Sequence, residues 1–397
     1  MYEKNQPVVF RLRKNSRQFT KDVYPDGVAK EQCTLVSQRI AIRLQDGKKQ
    51  IWLYRVYREK WGFKKGKLPE VLGKSEYGIE VAVIFAFLVY VLKLSQDQSR
   101  MVLSFFCEIE IEKSEAENLL NQLGKSWEKE LETLSDLIVL AMMVYIDETG
   151  WKIGKENCYT WIFRSLQHTV LLFGEKRDES VLDRILPLGK FKGIGITDCY
   201  KIYEKRFDMA QKCWAHFLRK IIKLMLLYPE KRKYRKFFEQ LYGIFQEAKK
   251  LKEQEGDKEE GIVALETKIL KLCTEVDKKL SKDTKKDLRE YVNLQKNLVR
   301  NLKDLFTFVR VKEVEPTSNE AERNLRHVAK SRNNYQTSKT KKGARRQSII
   351  SSVLFSLKQN LKEFTLKTVT EEVIQWQIEG KSLFKKQLEL KLAKPPP

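Results

Sequence analysis

Asp147, Asp198 and Glu322 are carboxylates from three separated segments, and their type and spacing could serve metal-assisted phosphodiester chemistry. Asp147 follows the apolar run Leu137 to Ile146 and Asp198 follows Gly193 to Thr197, so each is expected at the end of a strand. Glu322 stands on a helix-like segment farther along the chain. Three such carboxylates could hold two Mg2+ ions about 4 Å apart, with Mn2+ as the alternative metal. One ion would activate a water or 3′-hydroxyl and the other would stabilise the leaving oxygen. Spacing alone leaves other triplets open among 53 Asp and Glu, and Asp147 and Asp198 could simply terminate strands.

A basic stretch follows Glu320 and Glu322 directly. Arg323, Arg326, Lys330, Arg332, Lys339, Lys341, Lys342, Arg345 and Arg346 occur with no Asp or Glu between them. Alone, such a run is a solvated face; beside a carboxylate site it fits a DNA strand held by cations, with Asn333-Asn334-Tyr335 supplying polar contacts. Cys213 and His216 form a CxxH pair that could be half of a zinc site, though no second pair lies nearby. His216 could equally be a polar neighbour of the active site or a packed or capping residue.

These groups need a scaffold. The 397 residues carry a net charge of +24, which favours polyanionic partners, and 42% hydrophobic residues, enough to fill a core. Six cysteines without a CxxC pair, and no secretory leader, point to a reducing cytoplasm. The longest apolar run, Val81 to Leu92, is shorter than the about 20 residues a bilayer crossing needs and reads as a buried helix over Val81 to Leu94.

Residues 1–75 read as a small basic β-rich module with Asp46-Gly47 as a hairpin turn. The interleaved aromatics Trp52, Tyr54, Tyr57 and Trp61 are either core or stacking surfaces for bases. A helical linker domain is expected over 76–136, with a charged amphipathic helix from Ser114 to Asp136. Residues 137–213 read as three strands, a helix and a fourth strand. Residues 214–310 are helical in character; Leu265, Ile269, Leu272, Val276 and Leu280 lie on one stripe suited to intramolecular packing. Residues 311–375 return to the core and include a helix from Ser348 to Phe364. The tail, 376–397, is expected to fray from Lys385.

Four blocks together resemble the DDE transposases of the insertion sequence 66 family: Asp147-Glu148-Thr149-Gly150-Trp151; Thr197-Asp198-Cys199-Tyr200 with Tyr203; Cys213-Trp214-Ala215-His216-Phe217-Leu218-Arg219-Lys220; and Asn319-Glu320-Ala321-Glu322-Arg323-Asn324-Leu325-Arg326. The resemblance covers about residues 75–375 and includes the basic Lys330-Ser331-Arg332-Asn333-Asn334 block. It implies an α/β fold with a ribonuclease H-like mixed sheet, interrupted by a helical insertion before the last acid. It also implies that Asp147, Asp198 and Glu322 form the acidic triad, with Glu320 as the rival third acid and Glu148 facing the other side of its strand. Where many members have Asp-Asn-Asn, this chain has Thr317-Ser318-Asn319, and the family's N-terminal cysteine-rich module is matched only by Cys33.

The expected activity is metal-dependent cleavage of double-stranded DNA at transposon ends and strand transfer of the 3′-hydroxyl into target DNA. The setting would be a bacterial or archaeal cytoplasm, at the nucleoid. A homo-oligomer would pair the ends, with accessory element-encoded proteins as further partners and no membrane involved. The alternatives are a DNA-binding protein without chemistry and a structure-specific nuclease with the same core.

Overall fold

The computed structural model describes residues 18–204, 206–333 and 337–393, with backbone alone at 320, 324, 327 and 330–333. Asp46 and Gly47 both have positive φ, 50° and 74°, the left-handed pair that a two-residue hairpin turn requires. The turn joins β2 (Cys33–Gln45) to β3 (Lys48–Glu59), and β1 (Phe19–Val23) pairs parallel with β3. Arg43 of β2 donates to Glu80 at 2.5 Å and to the Tyr54 hydroxyl at 2.6 Å. This buried trio fastens the sheet to α1 (Ile79–Ala86). A buried charge left without its partner is costly, so the attachment is specific.

Helix α1 continues as a π-helical turn, Phe87–Val91, and the chain leaves it through Lys93 at φ 63°. The apolar helix therefore forms near its expected span. Helix α2 (Gln96–Cys107), begun by a Ser95/Gln98 capping box, was not expected. The single helix read over Ser114 to Asp136 is two, α3 (Lys113–Ser126) and α4 (Glu128–Val139), broken at the buried Trp127.

The central sheet contains β4 (Met143–Ile153), β5 (Glu156–Arg164), β6 (Thr169–Glu175), β7 (Ile194–Thr197) and β8 (Met209–Lys212), with α5 (Glu179–Ile185) between β6 and β7. Its order is β6-β5-β4-β7-β8. The first three strands are antiparallel, and β7 and β8 run parallel to β4. The expected order of three strands, a helix and a strand is present, and β8 adds a fifth strand. One expectation changes: Leu137 to Val139 finish α4, and Asp147 lies in the middle of β4. What ends near Asp147 is the pairing with β7, which covers only Met143–Tyr145.

Period-two alternation splits the sheet between two cores. Val144, Ile146, Trp161 and Phe163 face α3, α4 and α12 (Lys341–Asn360). Met143, Tyr145, Ile162 and Ile196 face the helical insertion, α6 (Trp214–Leu227), α7 (Arg232–Lys252), α8 (Glu259–Leu272), α9 (Lys286–Arg300) and α10 (Thr307–Arg310), together with α11 (Asn319–Asn333). Helix α8 ends at Leu272, so the stripe expected through Val276 and Leu280 is cut short; Leu265 and Ile269 pack inside the chain.

The free edge of β6 is closed by serines. The backbone N–H groups of Thr169, Leu171 and Phe173 donate to Ser356, Ser352 and Ser348 of α12, each at 2.9 Å. Hydroxyls spaced four residues apart on a helix thus replace a neighbouring strand. After α13 (Leu366–Glu379), the segment expected to fray forms α14 (Leu383–Leu392), with Phe384 buried against Trp376 at 5.6 Å between ring centroids. Among the described residues no helix is long and apolar enough to cross a membrane.

Candidate active site

Asp147 and Ile196 share parity with the residues facing the helical insertion, and Asp198 follows Ile196 by one pleat. Both aspartates therefore stand on the sheet face covered by α6 and α11. Glu148, of opposite parity, turns to the other face, where its carboxylate accepts from Tyr203 at 2.6 Å and pairs with Arg177 at 2.8 Å. Arg177 lies 4.2 Å from the Tyr200 ring centroid and 5.3 Å from that of Tyr159. The Tyr200 amide donates to Asp198 at 2.8 Å and the Glu148 amide to Asp147 at 2.9 Å. Behind the β7 end, buried Lys212 donates to Thr197 at 3.0 Å.

Helix α11 is fixed to the start of α6. The Trp214 amide donates to the Pro316 carbonyl at 3.0 Å, and the Ser318 amide donates to the Cys213 sulfur at 3.2 Å. This junction sets Glu322 beside the first turns of α6: Arg219 donates to its carboxylate, and His216 Nδ1 lies 3.8 Å away. Cys213, His216 and Glu322 place three potential ligand atoms within 4.8 Å of one another, a candidate metal-binding cluster.

The electrostatics link this cluster to the aspartates. Burial, with the neighbouring charge of Glu148, pushes the Asp147 carboxyl up to about 7, and Asp198 adds to the rise while His216 opposes it. Burial alone would lower the His216 imidazole; Cys213 outweighs it, and Asp198 contributes in the same direction. Burial would likewise raise the Cys213 thiol, but His216 and Ser318 hold it below the usual range. His216 thus touches the field of both aspartates while lying beside Glu322. Of the readings open for it, a polar neighbour of the carboxylates and a metal ligand both agree with this position.

Among the described residues the basic side chains do not form one patch. Arg323 and Arg326 are exposed on α11, next to Glu322 and one turn beyond it. Lys330 and Arg332 lie outside the described side chains, as does Glu320. Lys339, Lys341, Lys342 and Arg345 are exposed at the far end of β4, where Ser338 bridges Ile153 and Lys341 reaches Glu156 at 3.7 Å. Six or seven residues of strand put them about 20 Å from Asp147. Arg346 departs from its expected place on a DNA-facing surface: it donates to Tyr90 at 2.8 Å, Asn121 at 2.7 Å and Glu117 at 2.5 Å inside the fold.

Sequence reasoning did not single out Arg177, Lys212 or Arg219 as supports of the carboxylates. Arg219 falls in the block around His216, which is a usable signal; Arg177 sits in the mixed-charge run Glu175-Lys176-Arg177-Asp178-Glu179, which gives none. The model for the family described as transposase IS66 matches residues 85–346, a span that contains all three carboxylates, the inserted helices and α11. A comparison with curated proteins finds no match. On that match, which covers well over half of its length, the chain belongs to the IS66 family of transposases.

Proposed function

We propose that this protein is a DDE-type DNA transposase in which Asp147, Asp198 and Glu322 are the catalytic carboxylates. What supports the reading is the register that sets Asp147 and Asp198 each two residues beyond the Tyr145–Ile196 pair, with Glu322 held beside His216, whose charge acts on Asp147. Strand order β6-β5-β4-β7-β8, with helices inserted before the third acid, supports a ribonuclease H-like core. The N-terminal sheet would be a separate basic DNA-binding module, followed by a helical linker and a core split by the insertion.

The donor chemistry fits a hard divalent cation. Asp147 is a half-buried carboxyl whose ionisation its surroundings oppose, and the set of Asp147, Asp198 and Glu322 offers oxygen alone, as Mg2+ or Mn2+ prefers. The Cys213 thiol belongs to a softer, zinc-like set that shares only Glu322. Bound magnesium, two ions per site, would activate the attacking oxygen and stabilise the leaving one. The chain's own residues do the positioning. Tyr200 and Glu148 amides fix the aspartate oxygens, the Arg177–Glu148–Tyr203 network holds the loop after β7, and Arg219 keeps Glu322 oriented. Arg323 and Arg326 would hold the strand at the cleaved bond, while Lys339, Lys341, Lys342 and Arg345 would follow the duplex farther along. Pairing of two transposon ends calls for a homo-oligomer.

The test is magnesium-dependent cleavage and joining of DNA carrying the element's ends. Changing Asp147, Asp198 or Glu322 to Ala should abolish both while DNA affinity persists; unchanged cleavage in all three variants would defeat the assignment. Cleavage without joining would identify a nuclease with the same core.

A further inference from the structure

The loop after β3 carries two aromatic side chains in full contact with water. Trp61 is 97% and Phe63 103% exposed. Holding two large apolar rings in solvent forgoes the burial that a core position would give them. The loop is not loose: Arg58 and Lys65 form a β-bridge, the Glu59 amide donates to the Lys64 carbonyl at 2.9 Å, and the Lys60 amide donates to the Gln32 carbonyl at 2.8 Å. The rings are therefore presented on a fixed tip. Arg58, Lys60, Lys64, Lys65 and Lys67 surround them, all exposed. Of the nearby acids, Asp22 pairs with Arg55 at 2.6 Å and Glu70 with Lys21 at 2.6 Å, Glu59 folds beneath Gly62, and exposed Asp26 lines the same cleft as Phe63 and Lys64, so the five cations outweigh the acids left around the tip.

Apolar wedges flanked by cations match a nucleic-acid duplex, whose phosphates meet the lysines while the rings enter an unstacked base step. We propose that the Trp61–Phe63 loop is a DNA-inserting tip that engages duplex DNA outside the carboxylate site. The partner class rests on the DNA-processing reading above; the exposed pair, its rigid loop and its charge identify the surface.

The experiment measures binding of the full chain to a short mixed-sequence DNA duplex carrying 2-aminopurine, at fixed salt. Replacing both Trp61→Ala and Phe63→Ala should weaken binding about tenfold or more and remove the brightening of 2-aminopurine that unstacking gives. Trp61→Phe should restore most of both. Lys64→Gln with Lys65→Gln should instead flatten the salt dependence, by about one in slope per lost phosphate contact. Both rings are fully exposed, so the variants should fold, which circular dichroism checks. Wild-type affinity and brightening in the double alanine variant would overturn the proposal. So would a variant that loses only binding to anionic phospholipid vesicles, or only self-association. Failure of the transposase reading is seen separately, as magnesium-dependent cleavage that survives Asp147→Ala.

Discussion

Asp147, within β4, and Asp198, just past the end of the parallel β7, each stand two residues beyond the last paired couple, Tyr145 and Ile196. Pairing between these two strands stops just before the carboxylates, so a gap opens between β4 and β7 there, while Asp147 stays paired with Ile162 of β5 and Asp198 lies just past the end of β7. Two acids on one pleat, in a partly buried setting, repel one another unless a cation intervenes.

That repulsion gives the first prediction. Asp147→Asn removes a half-buried carboxyl whose ionisation the fold opposes, without changing shape, so at neutral pH and in the absence of divalent metal the variant should be more stable than the parent, by about 1–3 kcal/mol. Adding Mg2+ or Mn2+ should raise the melting temperature of the parent and leave that of the variant unchanged. Cleavage should fall by about three orders of magnitude or more, since on the proposed assignment the variant loses a metal ligand. Thermal denaturation with and without metal checks the first two effects; a parent that gains nothing from metal would refute the argument.

A second prediction concerns Arg219, whose guanidinium donates to Glu322 and is about half exposed. On the proposed assignment a metal ion and Arg219 would compete for the same carboxylate. Exposed ion pairs are worth only about 0–1 kcal/mol, so Arg219→Gln should tighten Mn2+ binding by no more than about fivefold. Calorimetric titration measures this directly. Weaker binding in the variant would mean that Arg219 shapes the site more than it competes for it.

How much of this was legible beforehand follows the physics of each signal. Asp46-Gly47 announces a hairpin through local backbone preference alone, and the hairpin is there. The apolar runs mark the central strands because burial has a short period. Asp147 was misplaced to a strand end because what stops there is the pairing with β7, which depends on a segment some fifty residues away. The broken helix at Trp127 and the shortened stripe after Leu272 are likewise decided by packing, and their sequence periodicity runs on regardless. Arg346 shows the same limit in the basic stretch. Its charge suits DNA, yet tertiary structure gives it to Glu117, Asn121 and Tyr90.

The serines of α12 lead to a third prediction. Ser352 accepts from the Leu171 amide at 2.9 Å in a fully buried position. Ser352→Ala leaves that N–H without a partner, at a cost of about 1–3 kcal/mol. Ser348→Ala and Ser356→Ala should act in the same way on Phe173 and Thr169. Because β6 is an edge strand, the triple variant should also aggregate on partial unfolding. Urea denaturation gives the stabilities. A neutral Ser352→Ala would show that the edge amides find other partners.

The last prediction is a pH dependence located away from the carboxylates. His168 is 1% exposed, shares a hydrogen bond with Gln387 at 2.9 Å, and packs edge-on against Phe384 of α14. Burial pushes its imidazole down to about 4; the Gln387 contact opposes this and the nearby Lys391 charge adds to it. The folded chain therefore holds neutral His168 and the unfolded chain takes up the proton first. Its contribution to stability is present above the unfolded value near 6.5 and is lost as pH falls toward 4. Between about pH 7 and about pH 5 the loss should come to about 1–2 kcal/mol. His168→Gln cannot take up that proton, so its urea stability should fall less over the same interval, with the difference between the two proteins isolating the histidine from the carboxylates that also titrate. Equal losses in both would show that α14 opens locally and lets His168 titrate as an exposed group.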